Sequence, residues 1–508
     1  MILDALVPWM DSPLLQILLA AAPLVIYFLV SGPRLHPGFP LAGVDGDEVF
    51  GRLDKARRRW IENGKEIIQQ GEKKFAGAFQ VVATSGPKIV LPNRFAHEIR
   101  NSPHMSFSAA IATEFFGSYP GFEPFASSDS LDITVQTVRG RLTQSLNLIT
   151  EELADETSTA IADLCGEAKT WKEIEYKPML LQLVARVSSR VFIGPELCAN
   201  QEWLDHSVDY AVQAFVAADA LRRWPFWLRP LVHRFLPECR KLRRVLVRSR
   251  EIIGPVVEKR REENRKAADA GEQGSKVADT IGWMDEAARG RDYDVATAQL
   301  GLGLAAIHTT TELVSGIISD LCANPQWFEP LREEMVACIR QHGWTKKALL
   351  EMKFTDSLMK ESQRHHVGDV AAMHRVTTAP VTLSDGTTIP KGASTMVGLG
   401  GMRDSTVFPD PDGYNPRRFL EMRQRPGEEN RWQFVSTSPE HLAFGHGKHS
   451  CPGRFFAANE VKIILVFLLV KYDWKFTAAG RKADEFRGVG FTTDPRAKAL
   501  IMFRGFAL

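Results

Sequence analysis

Apolar positions recur every three to four residues through most of the chain. This pattern predicts helices around Val44–Gln69, Ile133–Leu164, Tyr176–Val191, Leu204–Ala218 and Cys239–Glu263. The longest apolar run, Val295–Pro325, has Asp294 to cap its start and Asn324-Pro325 to end it. At ~1.5 Å per residue such a helix crosses a whole domain. Two-residue alternation is rare. AFQVVATSGPKIVLP (78–92) predicts a hairpin turning at Ser85-Gly86. VTLSDGTTIPKG (381–392) predicts another at Asp385-Gly386, and GVGFTTDPRAKALIMF (488–503) carries the last strand signal. Glu263–Asp279 is polar and poor in large apolar groups, which predicts a mobile surface loop. The balance predicts a mainly α fold with small β-sheets.

The N-terminus breaks the amphipathic pattern. Leu14–Val30 (LLQILLAAAPLVIYFLV) holds one amide and no charge, near the lower length limit for a bilayer span. Asp4 and Asp11 precede it; Arg34, Lys55 and Arg57 to Arg59 follow. A cleaved signal would lead with positive charge. The observed bias instead predicts a single transmembrane helix with the body in the cytoplasm. Pro33, Pro37 and Pro40 form a hinge, so the expected organisation is an anchor over 1–32, a hinge over 33–43 and one body over 44–508. Leu221–Phe235 sets Trp224, Phe226 and Trp227 among four arginines, a composition suited to a headgroup-level membrane contact.

Charge and cysteine content narrow the picture. A net charge of +2 gives no field for a nucleic-acid partner. The six cysteines show no paired spacing, which argues against a disulfide framework and for a reducing compartment. Five sit in apolar segments, but Cys451 lies among loop formers in FGHGKHSCPGRFF (444–456). Two chemistries suit that stretch. His446, His449 and Cys451 offer three zinc ligands, although no second Cys or His pair stands nearby to complete a structural site. Alternatively, Cys451 alone ligates haem iron, whose macrocycle supplies the other four positions. Gly445, Gly447 and Gly453 would permit close approach to the ring. A helix beginning behind the sulfur, with Pro452 at its first position, would stabilise the thiolate.

Phe444-x-x-Gly447-x-x-x-Cys451-x-Gly453 resembles the haem-binding signature of the cytochrome P450 family. Glu361-Ser362-Gln363-Arg364 is similar to the family's Glu-x-x-Arg helix motif, and Pro416-Arg417-Arg418-Phe419 to its Pro-x-Arg-Phe element, in the family's order. The resemblance implies a buried network of Glu361, Arg364 and Arg418, and haem b bound through Cys451, with Phe444 and Gly447 shaping the loop. Ala305-Ala306-Ile307-His308-Thr309-Thr310 lies where the family carries Ala-Gly-x-Asp/Glu-Thr-Thr. Ala305 and Ala306 would leave room over the iron, and Thr309 matches the threonine that hydrogen-bonds oxygen and helps deliver protons. The chain departs from the pattern at His308, which replaces the acid. It could either pass protons near neutral pH as a second catalytic residue or serve as a local hydrogen-bond partner. It departs again at His449, where relatives use arginine toward a haem propionate and histidine could donate one hydrogen bond instead. Arg139 and Arg375 are the other propionate candidates, although Val135 stands where the family has a tryptophan partner for Arg139.

The substrate walls implied are Ser106–Phe125 with Phe115, Phe116 and Phe122, then Leu221–Phe235, then Val367–Met373 with Val370. The variant Ile-His-Thr-Thr-Thr is similar to fungal microsomal members of terpenoid metabolism, such as fungal ent-kaurene oxidase. The resemblance therefore implies a monooxygenase at the endoplasmic reticulum membrane, acting on a hydrophobic secondary metabolite. Its electrons would come from NADPH through NADPH–cytochrome P450 reductase, with cytochrome b5 as an additional donor. No Gly-x-Gly-x-x-Gly follows a strand, consistent with a separate reductase. A haem-thiolate isomerase or dehydratase without a reductase is the rival reading, which Thr309 disfavours. A zinc-binding membrane scaffold is the other.

Overall fold

The computed structural model describes residues 35–44, 54–270, 277–481, 483–488 and 490–506. The apolar run Leu14–Val30 and the start of the hinge lie outside the described residues. From the N-terminal side the elements are α1 (Asp54–Lys74), β1 (Phe79–Ala83), β2 (Gly86–Leu91), β3 (Met105–Ser106) and α2 (Phe107–Glu114). A helical stretch follows: α3 (Asp129–Thr137), α4 (Leu146–Cys165), the short β4 (Lys172–Glu175), α5 (Tyr176–Phe192), α6 (Gln201–Arg222), α7 (Pro237–Asp269), α8 (Thr280–Ala288), α9 (Val295–Ala323), α10 (Phe328–His342) and α11 (Lys353–His365). Then come β5 (Ala371–Thr377), β6 (Val381–Thr382), β7 (Thr388–Ile389), β8 (Ser394–Gly398), α12 (Arg454–Lys471), β9 (Tyr472–Phe476), β10 (Glu485–Arg487), β11 (Gly490–Thr492) and β12 (Lys498–Phe503).

The main core lies between α4, α5, α9, α10 and α12. Helix α9 is its axis, with Leu300, Val314, Ile317, Ile318 and Leu321 fully buried. Among the described residues it is the one helix long and apolar enough to cross a membrane, and its burial marks it as a core helix. Asp294 caps it, accepting from the Thr297 hydroxyl at 2.6 Å and the Thr297 amide at 3.3 Å. The same carboxylate is gripped from outside by Arg250 of α7 at 2.6 and 2.8 Å.

The larger sheet has the order β1-β2-β8-β5-β3. Its β1–β2 hairpin closes on the pair Ala83↔Gly86, so the hairpin is as the alternation predicts but its turn is Thr84-Ser85, one residue before the expected Ser85-Gly86. β5 pairs with β8 antiparallel, with an irregularity between Ala372 and Arg375. The described part of the Pro-rich segment is docked on this sheet. Gln80 on β1 donates to the carbonyls of His36 and Phe39 at 2.9 and 2.7 Å.

Two expectations are corrected. The predicted loop Glu263–Asp279 is helical through Asp269, because its Glu, Lys, Arg and Ala residues keep high helix propensity without a core to pack on. The continuous helix expected over Ile133–Leu164 is interrupted by a π-helical turn, Val138–Leu142, between α3 and α4. Such an extra residue in a turn is often found at functional sites.

Candidate active site

Helix α9 is buried on nearly every side, yet Ala305 and Thr309 are exposed while Gly303, Ile307, Thr310 and Thr311 are not. Residues four apart share a helix face. One face of a core helix therefore opens onto space at the middle of the molecule. The Thr309 hydroxyl donates back to the Ala305 carbonyl at 2.7 Å, which leaves its lone pairs toward that space.

The Cys451 loop lies close by. On α12, Glu460 meets Ser188 of α5 at 2.6 Å and Thr310 of α9 at 3.5 Å. Six residues separate Arg454 from Glu460, so the start of α12 is ~9 Å from this crossing. The loop is held by its backbone: the Cys451 amide donates to the Phe444 carbonyl at 2.8 Å, and the Ser450 amide to Gly447 at 3.0 Å. Gly447 has φ +74, and a Cβ there would come within 2.4 Å of Arg100, so only glycine fits. Phe444 packs edge-on against Phe434 at 5.1 Å. Helix α12 begins at Arg454 with Gly453 at its cap, so Pro452 precedes the helix instead of opening it. Proline's lack of an amide leaves those of Gly453 and Arg454 to face the sulfur. Burial pushes the Cys451 thiol up; these two amides and the Arg454 guanidinium pull against it.

The three-ligand zinc reading is not assembled. Among the described residues no three His, Cys, Asp or Glu side chains converge to hold a metal. His446 turns toward His97, with ring centroids 5.6 Å apart, and toward Thr437. His449 lies beside Phe107 at 6.1 Å.

Positive charge gathers around His449. Arg139 donates to the Lys448 carbonyl, and Arg375 sits 5.6 Å from the Phe107 ring. Burial, then the charges of Arg375, Lys448 and Arg139, hold His449 down at about 4. Arg375 is 2% exposed, yet among the described residues its guanidinium makes one hydrogen bond, from Nη1 to the His374 carbonyl, 2.7 Å. Its Nε and Nη2 are buried without a partner among the described residues, and burial lowers it to about 10. A buried guanidinium with idle donors is costly unless an anion completes it. Haem b carries two carboxylates, so this donor set fits its propionates.

Behind the loop, Glu361 is completely buried. Arg364 grips both its oxygens at 2.9 Å, and Arg418 approaches them at 3.1 and 3.2 Å. Arg364 also donates to the carbonyls of Met402 (3.1 Å) and Pro411 (2.6 Å); Arg418 donates to those of Pro409 (2.5 Å), Asp410 and Gly413 (both 2.9 Å). Burial would raise the Glu361 carboxyl, but hydrogen bonds from His365 and Arg364 and the Arg364 charge hold it at about 2. The network fastens α11 to the irregular segment leading to Cys451.

Other expected residues are dispersed. His308 points to α6, with Nε2 3.3 Å from the Val208 carbonyl, and burial lowers its pKa. Ala306 packs partly into the main core. Phe115 stacks on Phe125 at 4.5 Å and meets Phe215 edge-on at 5.0 Å. Phe116 adopts φ 55 and lies under Arg222 and Arg229. Phe122 is fully buried in the main core and faces no opening. Val370 packs on the cluster around Trp60 and Val81.

Several residues escaped sequence reasoning. Glu460 interrupts an apolar run, and full burial pushes its carboxyl up to about 8. Lys360 is fully buried and donates to the carbonyls of Gln433 (2.9 Å) and Ser436 (3.0 Å), beside the loop. Glu114 closes α2 onto its neighbours: Lys88 and Ser85 hold one oxygen at 2.7 and 2.8 Å, and Arg222 of α6 approaches the other at 3.2 Å. Only Glu460 left a sequence signal, a lone acid among apolar neighbours.

Comparison with known proteins agrees with this geometry. The cytochrome P450 family model matches residues 130–502. Cytochrome P450 monooxygenase trt6 of Aspergillus terreus is 42% identical over 453 residues, 88% of this chain and 91% of that protein. Cytochrome P450 monooxygenase bsc2 of Alternaria brassicicola is 40% identical over 497 residues, 96% and 93% of the two chains. The retinoic-acid-bound cyanobacterial CYP120A1 shares the fold with a TM-score of 0.66 at 15% identity, covering 88% of this chain and 96% of that one. A thiol cradled at a helix start, an open face on the core helix and relatives of this kind lead to one conclusion: the chain belongs to the cytochrome P450 family and is a monooxygenase.

Proposed function

We propose that this enzyme is a membrane-tethered haem-thiolate monooxygenase that inserts one atom of O2 into a lipophilic secondary metabolite of terpenoid type. Its electrons would come from NADPH through a separate reductase, with cytochrome b5 as an additional donor. The observation that carries this reading is the open Ala305–Thr309 face, one helix crossing from the Cys451 loop. Cys451 would hold the haem iron, and Arg375, His449 and Arg139 would hold the propionates. When bound, haem b supplies oxygen activation, with the thiolate favouring O–O cleavage.

The chain's own residues do the rest. Thr309 turns its hydroxyl lone pairs to the open face while its proton rests on the Ala305 carbonyl, and rotation of that O–H would deliver a proton to the open side. His308 is neutral near pH 7 and fixes α6 over α9 through Val208. Phe115 and Phe116 supply an aromatic wall that excludes water and favours an apolar substrate. Arg100 and Lys448 leave positive charge beside the loop for an acidic reductase. The apolar N-terminal run supports tethering to the endoplasmic reticulum. So does the exposed apolar group Trp224, Leu231 and Phe235.

Reduced, CO-treated protein should show the displaced Soret band of a thiolate ligand, and Cys451→Ala should abolish it. A spectrum unchanged in Cys451→Ala would sink the ligand assignment. Product formation dependent on NADPH and reductase separates monooxygenation from rearrangement. Substrate-induced shifts of the Soret band across a terpenoid panel identify the substrate.

A further inference from the structure

Helix α6 leaves three large apolar side chains in the open, Val212 (45%), Phe215 (51%) and Val216 (45%), while Ala211, Ala214, Ala217 and Ala218 are buried. With Val208 and Asp219 they fall at i, i+4, i+7, i+8 and i+11, one helix face about 16 Å long. The stripe starts beside the open face of α9, where the Val208 carbonyl meets His308 Nε2 at 3.3 Å. It runs on along the aromatic wall, where Phe215 meets Phe115 edge-on at 5.0 Å. An apolar stripe continuous with a pocket is a path for an apolar substrate. This one ends on a charge, Asp219.

The β10–β11 hairpin meets that charge. Arg487, the last residue of β10, comes within 3.5 Å of the Asp219 carboxylate, and both side chains are exposed. The base of the hairpin is firmly held. Glu312, three residues beyond Thr309 on α9, accepts from the hydroxyls of Thr492 (2.9 Å) and Thr493 (2.7 Å) and from the Thr493 amide (2.9 Å). Lys177 of α5 pairs with the same carboxylate at 2.5 Å. On the other strand, His366 lies 3.5 Å from Asp484 and 2.8 Å from Asp320 of α9. The tip rests more lightly, on α1. Asn63 leaves the helical conformation there (φ −133, ψ 29), and the Ile61 carbonyl accepts from the Gly488 amide at 2.8 Å. Gly64 lies so close that a Cβ on it would collide with the Gly488 carbonyl. The Lys65 ammonium sits 4.0 Å over the Phe486 ring.

We infer that the Arg487–Asp219 pair is a gate at the outer end of the α6 stripe, and that a bulky apolar substrate enters when the β10–β11 tip lifts from α1 and α6. The inference names the entrance of the proposed active site and rests on that reading. The contacts divide as a gate requires. The base is tied to α9 and α5 by partly buried charges, whereas the tip holds by an exposed ion pair and a single backbone hydrogen bond. Segments that move are those with few buried contacts and exposed hydrogen bonds. Opening leaves no carboxylate unpaired, because Arg222 also holds Asp219, at 2.8 Å. The freed Arg487 is already 69% exposed and passes to water. A ligand of a few atoms needs no such opening, so the gate acts on size.

The test follows ligand entry into full-length, haem-loaded protein by stopped flow, reading the Soret shift as an imidazole nitrogen reaches the iron. Tritylimidazole is the bulky probe and imidazole the small one. Arg487→Ala should speed association of the bulky probe by about fivefold, the barrier an exposed ion pair can hold, and leave imidazole unchanged. Arg487→Lys should keep the wild-type rate. Raising salt from about 0.1 to about 1 M should speed the bulky probe in the wild type but not in Arg487→Ala. Gly64→Ala disturbs the seat of the tip on α1 without touching the ion pair. It should also speed the bulky probe, with faster amide exchange over 485–488. Wild-type rates for the bulky probe in both alanine variants, despite that faster exchange, overturn the inference. An equal gain for imidazole also overturns it, in favour of a general loosening of the pocket. The CO band is recorded on the same samples, so a normal haem-thiolate band beside unchanged entry rates refutes the gate and leaves the enzyme reading standing.

Discussion

Arg375 shows how a single side chain can announce a ligand. A guanidinium 2% exposed with two idle donors costs folding free energy unless an anion completes it. Arg375→Met should therefore leave the fold intact and weaken haem retention by about 10- to 100-fold, measured as haem transfer to apomyoglobin. Unchanged transfer would remove Arg375 from the propionate set. For Thr309→Ala, product formation should fall on the order of a hundredfold while NADPH consumption continues. Equal loss of both would contradict a proton-delivery role. Cys451, Glu361 and Arg418 could be picked out from the sequence because fixed local spacings carry them. Arg364 and Glu361 are three residues apart, so their contact was legible too. Glu114 and Lys360 were not, because their partners Arg222 and Gln433 are remote in sequence.

At the level of elements, the seam between α2 and α6 stands out. Phe107 at the start of α2 lies by His449 and Arg375, and Glu114 at its end is held by Lys88, Ser85 and Arg222. Burial would raise the Glu114 carboxyl, but the Lys88 and Arg222 charges outweigh it and hold it at about 2. Breaking this partly screened cluster with Glu114→Gln should cost about 1–2 kcal/mol in denaturant unfolding. It should also speed hydrogen exchange across 107–114; wild-type exchange there would show that the cluster does not secure α2. Helix placement was legible from periodicity, since α5 and α9 lie where the apolar repeat put them. The π-helical turn at Val138–Leu142 was not, because one extra residue per turn leaves the apolar repeat almost unchanged. The continuation of α7 to Asp269 was missed because polar composition conceals helix propensity.

Over the whole molecule, buried carboxyls set the pH range of stability. Burial raises Glu460 to about 8, so the folded chain holds a proton that the unfolded chain releases above its ordinary value near 4.5. Stability should then decline as pH rises between these values, by at most about 1.4 kcal/mol per unit. Glu460→Gln should flatten that decline, read from unfolding at pH 5 to 8; an unchanged slope would show that Glu460 is not responsible. Glu114 and Glu361 act in the opposite sense. Their lowered values contribute stability above about pH 4.5 that is lost as pH falls toward 2.

Asp294 is anchored by Arg250, which belongs to the arginine-rich helix. The carboxylate that starts α9 is thus clamped by a side chain of α7. For protein engineers this makes α6 to α9 a single inheritable cassette. A chimera that imports α7 from a relative without a cation at position 250 would lose this clamp on the cap of α9, leaving Thr297 alone to hold Asp294, even with every pocket residue retained.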